Sequence, residues 1–208
     1  MEFRYLLVAR FCLINLVATA IAAAVYLQGW LDAMFVTNII ELVLVIIVVF
    51  LYGLAQCARK VWQTSVELND LKAGALPRDS RAGKYVESVY GNEGGARSAA
   101  ASALRAKLTN RIAVVCIVSN SLVLLGLIGT VIGFIVALSS VDPAATAEAD
   151  TVAPVIGRLI NGMSVALYTT LVGSLLHVWL TVNHRLLASG TVNLYAAIIE
   201  LGESRGRV

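Results

Sequence analysis

Residues Leu122 to Ala137 read LVLLGLIGTVIGFIVA, an uncharged run with three glycines and a single hydroxyl, at Thr130. The apolar stretch around it, about residues 112–139, exceeds the roughly 20 residues that a helix needs to cross a bilayer. Gly129 and Gly133 form a GxxxG pair, and Gly126, Thr130, Gly133 and Ala137 recur at helical spacing. That spacing predicts a stripe with almost no side-chain bulk. Inside a membrane such a stripe lets another helix come close, because association there depends on van der Waals packing and interhelical hydrogen bonds. Ser119, eleven residues before Thr130, falls on nearly the same face.

The partner for this helix is Met163 to Arg185, MSVALYTTLVGSLLHVWLTVNHR, with Gly173 as its own small packing residue. Here Thr170, Ser174, His177 and Thr181 are spaced by four, three and four residues, which puts them on one face. A polar line within an apolar helix should meet protein or water and not lipid.

The run LGLIGTVIGFI resembles the first signature of the MotA/TolQ/ExbB proton-channel family, and ALYTTLVG, from Ala166 to Gly173, resembles the second. The resemblance covers Leu122 to Leu187. It places Thr130 at the family's pore threonine after LGLxG, and Thr170 at the threonine of its ALxxT segment. Trp179 stands where many TolQ and ExbB members have proline, and His177 lies outside the family pattern. The resemblance implies a ring of five copies around a dimer of a single-span partner of the MotB/TolR/ExbD type. That partner would carry the titrating aspartate, since a threonine hydroxyl does not titrate near neutral pH. Thr130, Thr170, Ser119, Ser174 and His177 would then form the ion pathway. Gly126, Gly129, Gly133 and Gly173 would pack the helices. The coupling ion implied is the proton, and threonine oxygens suit sodium as well. No other cofactor is expected.

Composition sets the class. The 208 residues are 59% hydrophobic and only 14% charged, whereas soluble domains carry about 25% charged residues. An integral, all-α membrane protein follows. Cys12, Cys57 and Cys116 are odd in number and lack CxxC or Cys/His spacing, so they read as packing residues rather than a disulfide framework or metal site.

Two further apolar runs precede the core hairpin. The first, residues 11–27, follows Arg4 and Arg10; it reads as a short span, or as a signal peptide with small residues at Ala22 to Ala24. Gln28 to Thr37 is a short link with Trp30, suited to the aromatic belt. The second run, residues 38–57, holds one acid, Glu41, near its outer end, where a carboxylate reaching the headgroups is the plainer reading beside a proton relay. No breaker appears before Gly74 and Pro77, so this helix should continue to about Lys72.

Residues 58–111 form the longest polar segment and hold ten of the sixteen Lys and Arg residues, which the positive-inside rule assigns to the cytoplasm. These charges are scattered, with acids between them and no aromatic stacking pattern, so a nucleic-acid partner is not expected. Gly91, Gly94 and Gly95 predict a turn or flexible joint, and SAAASALRAKL after it predicts a helix running into the third span. Ser139 to Thr151 carries Asp142, Glu148 and Asp150 without a basic residue, which suits the outer side.

The resulting expectation is four membrane helices, or three if the first is cleaved. They comprise an N-terminal hairpin over 1–57, a cytoplasmic helical loop over 58–111, a core hairpin over 112–187 with spans 112–139 and 162–185, and a tail over 188–208. Helices extend into the cytoplasm, both termini lie there, and copies assemble as a ring in a bacterial inner membrane. The function implied is a ring subunit of a motor driven by the proton motive force. A non-motor membrane scaffold or small transporter subunit would use the same glycines and buried hydroxyls. An enzyme is not expected, since neither His177 nor His184 has an acid or nucleophile at catalytic spacing. For His177 two readings stand: an inward proton relay, or a neutral imidazole hydrogen-bonded to a neighbouring helix or loop.

Overall fold

The computed structural model of the chain describes residues 6–28, 40–72, 83, 85, 94–139 and 149–205, with side chains except at 40, 41, 72, 94–97, 149–152 and 203–205. The link around Trp30, the breakers Gly74 and Pro77, Gly91, Asp142 and Glu148, and the side chains of Glu41 and Asp150, lie outside these residues. The described chain is helical: α1 Leu6–Leu27, α2 Ile40–Lys72, α3 Gly94–Ser139 and α4 Ala149–Arg205. All four are long and apolar enough to span a membrane.

Two helices far exceed a bilayer. At 46 and 57 residues, α3 and α4 are about 70 and 85 Å long at 1.5 Å per residue, against a hydrocarbon core of about 30 Å. As the sequence predicts, α2 continues to Lys72 and α3 starts well before its apolar run. Gly94 and Gly95 open α3 rather than forming a turn before it. Beyond the sequence reading, α4 begins ahead of its span, with Pro154 near its start, and continues through the tail to Arg205. Proline costs a helix least near the N-terminus, where few backbone N–H groups have an intrahelical partner to lose.

The helices contribute to two compact units. One takes the described residues within Met1–Leu16, Leu54–Cys116 and Val182–Val208, and the other those within Val17–Gly53 and Ile117–Thr181. Charge separates them sharply. Fifteen of the sixteen Lys and Arg residues fall within the bounds of the first unit, and only Arg158 falls in the second.

The first unit has a buried apolar cluster of its own. Leu71 of α2, Leu108 of α3, Leu194 and Ile198 of α4, and Tyr85 form its buried cluster, flanked by Leu68, Leu104 and Leu201. Tyr85 lies over Gly202, where an added Cβ would sit 2.8 Å from the ring. Lys60 donates to the Arg111 carbonyl, and Arg111 donates to the Gln63 side chain, so two basic side chains tie α2 to α3. Cys57 is fully buried, whereas Cys12 lies on the exposed side of α1. The N-terminal part of α1 meets α4 twice: Asn15 donates to the fully buried Asn183 at 2.8 Å, and Leu7 covers Gly190.

The bundle sets a stability test. Leu194 is fully buried, and truncating such a side chain costs about 2–5 kcal/mol through lost burial and the cavity left. Leu194→Ala is expected to lower the thermal midpoint of the purified protein in detergent. An unchanged midpoint would mean that this cluster does not hold the three long helices together.

Candidate functional site: the glycine seam and its polar flank

In the second unit α3 and α4 run antiparallel, since rising positions on α3 meet falling positions on α4. Gly133 faces Gly162 and Ala166, Gly129 faces Thr169, Gly126 faces Thr169, Thr170 and Gly173, and Leu122 faces Gly173. The approach is backbone against backbone. A Cβ on Gly133 would lie 2.7 Å from the Ala166 nitrogen and 2.8 Å from the Gly162 oxygen. One on Gly162 would lie 2.7 Å from the Gly133 oxygen, and one on Gly173 2.8 Å from the Leu122 oxygen. Gly126 has more room, with nothing nearer than 3.2 Å.

Gly126, Gly129, Gly133 and Gly173 each face the other helix of the same chain. Thr169 was not among the residues singled out by sequence. It is fully buried, fills the space opposite Gly129, and its hydroxyl donates to the Val165 and Ala166 carbonyls at 3.0 Å each. Its signal is the small-residue line Gly162, Ala166, Thr169, Gly173, spaced four, three and four. The second helix of the chain packs on this pair as well: Phe50 of α2 meets Trp179 of α4 with ring centres 5.1 Å apart, and Gly53 takes the side chains of Leu180 and Val118.

The buried stripe of α3 is Ser119, Leu122, Gly126, Gly129, Gly133 and Ala137. Thr130 is half-buried beside this stripe and not within it, and its hydroxyl donates to the Leu127 carbonyl at 2.6 Å. On α4 the polar line Thr170, Ser174, His177 and Thr181 is likewise half-buried, displaced from the fully buried Thr169 and Leu180. Each residue turns a helix by about 100°, so Thr130 and the α4 line are both rotated in the forward sense from their stripes. Because the helices are antiparallel, those rotations lead to the same side of the seam.

Hydrogen bonds cross the seam at two places on that side. The Thr170 hydroxyl donates to the Gly126 carbonyl at 3.1 Å. That carbonyl also accepts the α-helical bond from the Thr130 N–H, four residues on, so the two signature threonines share one acceptor. Two turns away, His177 Nδ1 lies 2.8 Å from the Ser119 carbonyl, while the Ser119 hydroxyl sits 2.8 Å from Thr181 Oγ1 and 3.1 Å from Nδ1. Ser119 is buried, at 2% exposure, so its placement beside the polar line is fixed. Ser174 lies half-buried on the line between Thr170 and His177.

The chemistry of this flank follows from where its protons point. The hydroxyl protons of Thr130 and Thr170 are both engaged by backbone carbonyls, which leaves oxygen lone pairs as the groups each threonine can offer a visitor. Such oxygens accept from a protonated acid, from water or hydronium, or from a cation. No group of three metal-binding side chains occurs among the described residues.

Glycine substitution should grade with the space available. Gly133→Val and Gly173→Val are expected to abolish a folded core hairpin, because backbone atoms stand in the way, while Gly126→Ala is tolerated. Yield of monodisperse protein by size-exclusion chromatography checks the order, and equal tolerance at Gly133 and Gly126 would refute the seam.

No curated protein and no solved structure matches the chain. The MotA/TolQ/ExbB proton channel family matches it over residues 95–198, half of its length, taking in nearly all of α3 and most of α4 with the seam and its polar flank. The chain is a multi-pass membrane protein and belongs to the MotA/TolQ/ExbB proton channel family.

Proposed function

We propose that this chain is the ring-forming subunit of an energy-transducing motor driven by the proton motive force. Five copies surround a dimer of a single-span partner of the MotB/TolR/ExbD type, whose aspartate binds and releases the coupling proton. The observation that carries this reading is the shared Gly126 carbonyl, which holds Thr170 and Thr130 together on one half-buried flank with their oxygen lone pairs available. Ser174 continues the same line. A proton moving from water to a carboxylate and on to the other side needs acceptors along its route, and these oxygens supply them.

Magnitudes favour a pathway over simple glue. Side-chain hydrogen bonds between membrane helices contribute only about 0.6 kcal/mol on average, while the glycine contacts decide whether α3 and α4 can meet at all. The hairpin needs little from the threonines. By contrast, each proton crossing supplies about 2.3 kcal/mol per 100 mV of potential, before any pH gradient, enough to drive repeated steps of the ring about its partner. The coupling ion is the proton; sodium is the alternative that threonine oxygens also suit.

The charge division supports an orientation. Ten of the sixteen Lys and Arg residues lie in the segment 58–111, which places that segment on the cytoplasmic side of a bacterial inner membrane, with both termini on the same side.

The test is ion flux in proteoliposomes containing the chain and its partner. Thr130→Val or Thr170→Val is expected to reduce flux about tenfold or more, as loss of roughly 1.4 kcal/mol in the barrier step would do. Native mass spectrometry should still find five copies with two of the partner. Thr170→Ser, which keeps the oxygen, should retain most of the flux. Normal flux from both valine variants would remove the threonines from the path, and a monomer indifferent to the partner would remove the ring.

A further inference from the structure

Three residues of the polar line of α4, Ser174, His177 and Thr181, lie beyond the second family signature, and one of them is an imidazole. We infer that His177 is a proton-accepting site of this chain, fixed in one tautomer, which takes and returns its proton through Nε2 alone.

The inference starts from a backbone carbonyl. The Ser119 oxygen, 2.8 Å from His177 Nδ1, can only accept. A bare nitrogen at that distance would set two lone pairs against each other, so Nδ1 carries the hydrogen and donates it. In the neutral ring the lone pair is therefore on Nε2. The neighbour that the structure gives Nε2 is Thr181 Oγ1 at 3.5 Å, long for a hydrogen bond. Nε2 is thus the loosely held end of a ring whose other end is tightly fixed. The Ser119 hydroxyl completes the arrangement, 2.8 Å from Thr181 Oγ1 and 3.3 Å from the His177 carbonyl, to which it can donate.

Protonation changes little in this frame. An incoming proton adds to the Nε2 lone pair and gives imidazolium, with no bond broken. Thr181 then accepts from Nε2–H, and its own hydrogen turns to a carbonyl of the preceding turn, the usual back-bond of a helical threonine. The Nδ1–H donation to Ser119 persists and strengthens with the charge. Release must retrace the same route, because the Ser119 carbonyl cannot pass a proton on. His177 therefore stores a proton and does not relay one from nitrogen to nitrogen.

The surroundings leave this role to His177. Ser119 and Thr181 do not titrate near neutral pH. In the second unit, residues 117–139 of α3 contain no titratable side chain, the described side chains offer Tyr52 on α2 and Tyr26 on α1, and α2 also carries Glu41, whose side chain lies outside the described residues. On α4 the described side chains besides His177 are Arg158 and Tyr168. Imidazole is the one among these types that ordinarily exchanges a proton between about pH 5 and 8.

The experiment is nitrogen NMR of the full chain in lipid nanodiscs, with ¹⁵N-labelled histidine and His184→Gln to leave a single ring. Across an acid titration Nδ1 is expected to stay protonated while Nε2 alone passes from unprotonated to protonated. Ser119→Ala should leave this pattern unchanged, since the acceptor is a backbone carbonyl. A neutral ring protonated at Nε2, a mixture of both tautomers, or no proton uptake before the protein unfolds would each overturn the inference. A second arm, which rests on the motor reading, compares the pH profile of flux in His177→Gln, whose amide can still donate to Ser119. A changed profile with an intact assembly is expected. An unchanged profile beside the expected NMR pattern would overturn a storage role during flux while leaving the proton site and the ring assignment standing.

Discussion

The closeness of α3 and α4 is the constraint on which the rest of this protein depends. Lipid tails are as apolar as leucine, so two membrane helices gain nothing from merely hiding hydrophobic side chains from each other. They gain from dense contact, and the densest contact available is backbone against backbone. Gly133, Gly162 and Gly173 permit it, each facing main-chain atoms at distances that no side chain could share. Once the backbones are that near, carbonyls of one helix come within reach of short side chains on the other. Thr170 reaches Gly126, and His177 reaches Ser119, because the seam has removed the bulk that would otherwise stand between them.

The same seam accounts for how the polar groups are arranged. In a medium without water a hydroxyl must donate somewhere, and the nearest acceptor is a main-chain carbonyl. Thr130 uses Leu127 on its own helix, Thr169 uses Val165 and Ala166, and Thr170 uses Gly126 across the seam. Burial then separates three residues that look alike in sequence. Thr169 is sealed into the contact, while Thr130 and Thr170 keep part of their surface open on one flank.

Much of this was legible from composition and spacing. Glycines at 129 and 133 state the close approach directly, since a side chain at either would overlap the facing helix, and the continuation of α2 to Lys72 and the early start of α3 follow from the lack of breakers in one and the helix-forming run 98–108 in the other. The position of Thr130 was less accessible. Four residues advance a helix by about 400°, so an i, i+4 neighbour of Gly126 lies some 40° off the stripe. Sequence spacing alone does not say which of Gly129 and Thr130 is central. The threonine pair posed the same difficulty: adjacent residues point about 100° apart, and nothing local states that Thr169 faces inward. The long C-terminal part of α4 was missed for another reason. Arg185 marks where the apolar run ends, but a helix may leave the membrane without ending, and Leu194 and Ile198 four residues apart are the sign that it packs on.

A division of labour between two kinds of group follows from these placements. Hydroxyls that donate inward leave only lone pairs facing outward, so they can pass a protonated or cationic visitor along but cannot hold a proton themselves near neutral pH. An imidazole whose Nδ1 is tied to a carbonyl has the complementary property: it can hold a proton but has only one nitrogen through which to exchange it. Thr170 and His177 stand two turns apart on one helix face, so the site proposed to conduct and the site proposed to store lie along the same flank. Neither can replace the other. Moving charge across the bilayer therefore needs a titrating group that can meet the threonine oxygens, and one held at a fixed tautomer two turns away cannot serve as that shuttle. For the proposed motor, this is the physical reason to place the titrating carboxyl on a separate chain: a flank of hydroxyl oxygens can meet such a group but cannot replace it.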